Sequence, residues 1–278
     1  MEYLTVAEVR DECGDDVAEL SDAAILRKID RLVGFMEYNL GHTFGRALRA
    51  WSSDANHTVQ VTASALVIGG DSYAFADYAT LGSLTDAVNN VGAAYRVELL
   101  PKVVPDTPSS LLKATGALVC GATYDKRQML DLTALWLRAR GGQTHVFLPL
   151  PLRSVSAVIE NGTTLTADQY YAVAGKSWLV RKACECPVVC AVHVVHWGWR
   201  TYDGIQVTYR PTWWGQTPAA IQMALLEAFK VDLGIAPSSL ESERFGQYSY
   251  SNRAPEALTY RDILGGGMLR AYAVALRS

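Results

Sequence analysis

The densest group of side chains able to do chemistry is Cys184, Cys186, Cys190, His193 and His196. Thiolate and imidazole donors are what a tetrahedral zinc ion takes. Their spacing, C-x-C-x3-C-x2-H-x2-H, matches no recognised ligand pattern, and Pro187 divides the set. From Val188 onward the residues read as a strand, which sends His193 and His196 to opposite faces. The group therefore reads as buried thiols and sheet-face histidines rather than as a metal site.

Three other groupings have a chemical reading and a plainer one. Gly70-Asp71-Ser72 follows an apolar run, loosely like the turn that presents a serine nucleophile. Such a serine needs a histidine base oriented by an acid. The one Asp-x-x-His, Asp54 to His57, precedes the serine, and G-x-S-x-G is absent, so a hairpin turn is the better reading. The carboxylate pairs Asp15/Asp16 and Glu241/Glu243 could do acid–base work, but they read as solvated turn and tail charges. Gly265-Gly266-Gly267 is followed by no Lys-Ser/Thr, so it reads as a hinge and not a phosphate loop. Trp197, Trp199, Trp213 and Trp214 could line a sugar groove, although core or subunit contacts suit them better.

The chain has 278 residues, half of them hydrophobic, with a formal net charge of −3. That is enough apolar material for a sizeable core in one large or two modest domains. The balance argues against a general nucleic-acid coat, which needs a basic face. No run approaches the ~20 apolar residues of a membrane span. The start, MEYLTVAEVRDEC, is acidic and amphipathic, unlike a signal peptide, so folding in a cytoplasm is expected. Five cysteines do not make a disulfide framework.

The elements that must position these residues fall into five stretches. Residues 1–49 hold two helices. Thr5 and Glu8 form a capping box for the first, which Gly14, Asp15 and Asp16 break. Ser21 or Asp22 caps the second, and Ile25, Ile29, Leu32, Met36 and Leu40 give it one apolar stripe that ends at Gly41. The stripe needs a partner, and the first helix is too short to cover it. The best one is the helix that starts with Thr217-Pro218 and carries Leu225 and Phe229, read as apolar on most of its circumference and stopped by Gly234 and Pro237. This helix occupies 216–235.

Between the helices the period changes. Residues 50–142 read as an inserted mixed β module. In it, Thr58 to Ile68 alternates as a strand, Gly69 to Asp71 turns the chain, and Leu81 to Val91 forms a helix capped by Thr85 or Asp86. Leu111 to Tyr124 reads as strand-like, and Met129 to Arg138 fits helix or strand. Residues 143–215 read as a β-rich sandwich or barrel, with Asn161-Gly162 as a type I′ hairpin. Residues 236–278 change again, to Ser, Tyr, Glu and Arg without apolar period. They form an arm unable to offset its own ordering entropy, which would order against a neighbour or partner. The expected fold is thus α+β: a small helical bundle split by a large sandwich- or barrel-like insertion, with an extended C-terminal arm.

Four segments carry a resemblance. SDAAILRKIDRLVGFMEYNLGHTFG, the last helix followed by SLESERFGQYSYS, and the β segments SVSAVIENGTTLTADQYYAV and GIQVTYRPTWWGQTP resemble the head-tail connector (adaptor) proteins of long-tailed phages. The likeness covers the first ~45 residues and the last ~60, and the middle in part. The 52–142 block departs from the smallest members. The resemblance implies a structural virion protein without catalytic residues, cofactor or metal. Many copies, twelve if it follows the family, would form a ring under the portal, contact a head-closure or tail protein below, and let DNA pass without sequence-specific binding. It implies the virion neck, assembled in host cytoplasm, with no membrane. On that reading Leu240, Arg244, Phe245, Tyr248, Tyr250, Arg253 and Tyr260 of the arm meet the portal or a neighbouring subunit. The competing expectation is a β-sandwich module that binds carbohydrate or protein.

Overall fold

The computed structural model describes residues 3–40, 43, 45–53, 56–91, 94–182, 197, 204–211, 219–234, 244–245, 248–249 and 263–264. The class is α+β, with antiparallel pairing throughout the described sheets.

Helix α1 (Val6–Cys13) begins at the expected capping box: the Thr5 side chain accepts from the Glu8 amide and Glu8 reaches back to the Thr5 amide. A 3-10 turn over Gly14–Val17 follows. In α2 (Asp22–Leu40) the Ala24 amide bonds the Ser21 hydroxyl at 3.3 Å, which makes Ser21 the capping side chain. Gly41, expected to end it, lies outside the described residues.

After α2 the chain enters a first β unit. Strand β1 (Arg46–Ser52) is followed by β2 (His57–Val61), β3 (Ala65–Ile68), β4 (Asp71–Ala74), helix α3 (Leu81–Asn90), β5 (Tyr95–Leu99), β6 (Leu118–Cys120) and β7 (Gln128–Asp131). Two sheets, ordered β5-β1-β7 and β4-β3-β2-β6, enclose one core with the Leu81, Leu84 and Val88 stripe of α3. A second unit holds β8 (Leu135–Ala139), β9 (His145–Phe147), β10 (Leu152–Glu160), β11 (Thr163–Thr164), β12 (Tyr170–Ala172), β13 (Trp178–Arg181) and β14 (Ile205–Pro211). Its sheets run β11-β10-β14-β8 and β12-β13-β9 around a core that includes Val158, Leu179, Trp197 and Val207. Helix α4 (Ala219–Asp232) comes next, then a short ladder of β15 (Arg244–Phe245) with β16 (Tyr248–Ser249).

The third core joins distant parts of the chain. Ile25, Ile29, Leu32 and Met36 of α2 are buried in one cluster with Leu225 and Phe229 of α4. Val9 and Cys13 of α1 complete it, as does Leu264. Asp232, at the end of α4, takes Lys28 at 2.7 Å and also Arg31, which fixes the end of α4 against the middle of α2. Gly234 closes α4 at φ +75°, a value that favours glycine, and its amide reaches Val231 O.

Several local expectations are corrected. Thr58 to Ile68 is two strands, because Thr62 turns the chain: its hydroxyl accepts from Ala65 N at 3.0 Å. Thr80, not Thr85 or Asp86, caps α3, through a box with Ser83. Leu111 to Tyr124 contains only a three-residue strand between two 3-10 turns. Met129 to Arg138 is strand on both sides of a turn, and its second half pairs with β14. That ladder places residues 135–139 with the second unit, so the first unit ends near 132 and not at 142. Strand β1 likewise starts at Arg46, ahead of the expected boundary at 50. Met223 of α4 is 52% exposed, but every other described side chain of that helix is buried or half-buried, so the expected burial around most of its circumference holds.

A core shared by α2 and α4 makes a measurable distinction between two α4 residues. Phe229→Ala should cost about 3–5 kcal/mol in urea unfolding, by lost transfer energy and cavity formation. Met223→Ala should stay within about 0.5 kcal/mol, as surface changes do.

Candidate functional site

Of the three buried charged residues among those described, Glu37 and Arg46 meet at the junction of α2 with the first β unit, while Lys230 pairs with Glu227 on α4. Asp30 and Glu37 lie two turns apart on α2 and so share a face. Opposite them stand Arg46 and Arg49 of β1. Residues three apart on a regular strand point to opposite sides, yet both arginines reach Asp30, at 3.5 and 3.0 Å. The register explains this: Arg46 pairs with Asp131 and Leu48 with Leu130, so Ala47 is an extra residue on β1. The bulge resets the alternation and turns Arg46 and Arg49 to one side.

The carboxylates are well supplied with donors. Glu37 accepts from Arg46 Nε and Nη2, both at 3.2 Å, and from the Tyr3 hydroxyl at 2.6 Å. Asp30 also accepts from the Tyr124 hydroxyl at 2.6 Å. Arg46 lies over the Tyr3 ring, 5.1 Å from its centroid. Tyr124 has the guanidinium groups of Arg27 and Arg127 at 5.5 and 4.6 Å from its ring. Only 6% of the Arg46 side chain and 5% of Glu37 are exposed. Burial works against the Arg46 charge, but Glu37, Tyr3 and Asp30 outweigh it and hold its pKa above the ordinary arginine value. Burial, reinforced by the bond to Asp30, pushes the Tyr124 phenol up to about 12. The arrangement is a joint: its carboxylates and guanidinium groups are spent largely on one another, with Arg49 Nε buried and without a hydrogen-bond partner.

A cavity of about 170 Å³ lies where the two β units meet, lined by Lys102, Val104, Leu132, Trp136, Pro149 and Tyr209 among others. It is below the roughly 300–1,000 Å³ of ordinary small-molecule pockets. Arg138 bridges the units to Asp106 at 2.9 Å, and Arg210 Nε donates to Thr133 O.

The sequence candidates sort as follows. Ile25, Ile29, Leu32, Met36, Leu225 and Phe229 come together in the helical core. Arg244, Phe245 and Tyr248 lie on the β15–β16 ladder, described for its backbone alone, and Leu240, Tyr250, Arg253 and Tyr260 lie outside the described residues. Also outside are Cys184, Cys186, Cys190, His193, His196, Trp199, Trp213, Trp214, Asp54, Glu241, Glu243 and the glycines 265–267. Among the described residues no three His, Cys, Asp or Glu gather to hold a metal ion. Cys13 and Cys120 are buried free thiols. Trp197 is fully buried, so it belongs to the core and not to a sugar groove. Gly69 and Gly70 turn β3 into β4, where Asp71 accepts from the Tyr95 hydroxyl and Ser72 pairs in the ladder with Val67. Asp15 and Asp16 are exposed in the 3-10 turn. No described helix is long and apolar enough to cross a membrane.

The sequence reading missed Asp30, Glu37, Arg46 and Arg49. The available signal was two acids seven apart on a helix and two arginines beside its end. No family model matches the chain, and no curated protein matches its sequence.

Removing one partner of the joint leaves a buried charge unpaired. Glu37→Leu should therefore cost about 3–5 kcal/mol, and adding Arg46→Met should recover most of the loss in a double-mutant cycle by urea unfolding. The Tyr124 phenol has a folded pKa raised above its ordinary value of 10. Its contribution is therefore complete below pH 10 and is lost as pH rises through about 12. Tyr124→Phe should flatten that alkaline loss in unfolding midpoints recorded across this window.

Proposed function

We propose that this chain is a structural virion protein, a head-tail connector (adaptor) subunit that forms a ring beneath a portal and extends the DNA channel toward the tail. The observation that carries the reading is the shared core of α2 and α4, with both β units inserted between them in the chain and Leu264 added from beyond α4. It supports a plan in which a small helical bundle is split by a β insertion and followed by an arm. It accompanies the four resembling segments.

On this reading the helical bundle flanks the channel. The β units face outward or toward a head-closure or tail protein. Residues 236–278 contact the portal or the next subunit, through Leu240, Arg244, Phe245, Tyr248, Tyr250, Arg253 and Tyr260. DNA slides past without base recognition. The role is spacer and gasket, so no catalysis and no cofactor is assigned. A closed ring of identical subunits requires a heterologous interface, one face of each meeting a different face of the next. The competing binding-module reading loses one of its four tryptophans, because Trp197 is in the core.

Imaging tests the reading directly. The full chain mixed with its cognate portal should give a ring stacked on the portal in negative stain, and a variant ending at residue 235 should give none. A full chain that never associates with portal would remove the connector reading.

A further inference from the structure

The sheet β12-β13-β9 buries one face in the second unit, and its other face carries the exposed Phe147 and half-buried aromatic rings around a buried Val180. Strand alternation and register set His145 and Phe147 of β9 beside Val180 and Trp178 of β13, with Tyr171 of β12 across from Val180. Phe147 is 70% exposed. The His145 ring stacks on Phe147 with centroids 6.0 Å apart and meets Trp178 edge-on at 5.5 Å. These rings brace one another, so little side-chain freedom remains to be lost on binding. Lys182 Nζ sits 4.3 Å from the Tyr171 centroid, and Lys176 is exposed in the turn between β12 and β13. Strands β9, β12 and β13 carry no carboxylate; Asp168 lies just before β12. Residues 135–182 with 204–211 hold seven Arg and Lys against two acids, and of the seven Arg138 is paired with Asp106 and Arg181 with Glu160.

The opposite charge sits in the helical core. Residues 3–22 hold seven Asp and Glu against Arg10 alone, and Arg10 is already paired with Asp22 at 2.6 Å. Asp11, Glu12, Asp15, Asp16 and Glu19 are all exposed. We propose that the aromatic, basic face of β12-β13-β9 receives the acidic α1 end and its 3-10 turn from a second copy of this chain. Aromatic anchors with few charges at the centre and complementary charge around them are what protein interfaces favour. A basic face repels its own twofold mate, so the contact is head-to-tail. That is the heterologous interface a ring needs, and the inference rests on the connector reading in that respect.

Sedimentation of the full chain at low and high salt, over a concentration series, tests the pairing. Three surface variants are compared: Asp15→Lys with Asp16→Lys, Lys176→Glu with the half-buried Lys182→Glu, and Phe147→Ser. The unmodified chain should self-associate, more weakly at high salt. Each charge variant alone should associate about tenfold more weakly or less well still, and an equimolar mixture of the two should regain the original affinity. Phe147→Ser should lose about tenfold with an unchanged melting temperature, as for an interface anchor. An unmodified chain that stays monomeric throughout overturns the proposal. So does association that none of the variants alters; ring stacking on the portal, read separately, would then leave the connector reading intact. Trp fluorescence quenched by a neutral glycan, with no self-association, would assign the face to carbohydrate instead.

Discussion

Two carboxylates and two guanidiniums, withdrawn together from water between α2 and β1, hold the described structure in register. A buried charge is tolerable only when paired and hydrogen-bonded, and the pairing is directional. Glu37 takes two nitrogens of Arg46, and Asp30 is shared by Arg46, Arg49 and Tyr124. Helix α2 therefore cannot rotate without stranding charge on one side or apolar surface on the other. Its Ile25–Met36 stripe faces α4, and its acidic face looks at β1. The joint thus sets how the helical core meets the first β unit. Arg138 and Arg210 extend the attachment to the second.

The single extra residue Ala47 is what makes the joint possible. Without it Arg46 and Arg49 would point to opposite sides of β1, and one guanidinium would lose Asp30. The cost is one irregular rung in a ladder that stays regular from Leu48 onward against β5. Specificity of docking, rather than raw stability, is the better account of such a network, since well-packed apolar groups can replace buried ion pairs at little or no loss.

What was legible in the sequence was local. The Thr5–Glu8 box, the α2 stripe, the Asn161-Gly162 turn and the Gly234 stop each depend on residues a few positions apart. Asn161 and Gly162 both have positive φ, as a type I′ turn requires. The shared core of α2 and α4 was legible too, because an apolar stripe demands cover and few segments could supply it. The joint was not, because a carboxylate on a helix reads as solvated until its partner is known. Here the partner acts through a bulge that leaves no mark in residue type. The β2–β3 turn was hidden for a similar reason. Thr62 closes it with a side-chain hydroxyl, so no Gly, Pro or Asn interrupts the alternation. The boundary near 132 was hidden because β8 pairs with β14, far along the chain.

The same anchoring bounds what the C-terminal stretch can reach. Gly234 closes α4 on the helical core, and Leu264 is buried in that core. Leu233 and Ile263, on either side of residues 235–262, also pack against that core. A span tied at both ends extends at most about half its contour length, which for these residues is about 45 Å at ~3.3 Å per residue. A partner that meets Phe245, Tyr248 or Tyr250 must lie within that radius while Leu264 stays seated.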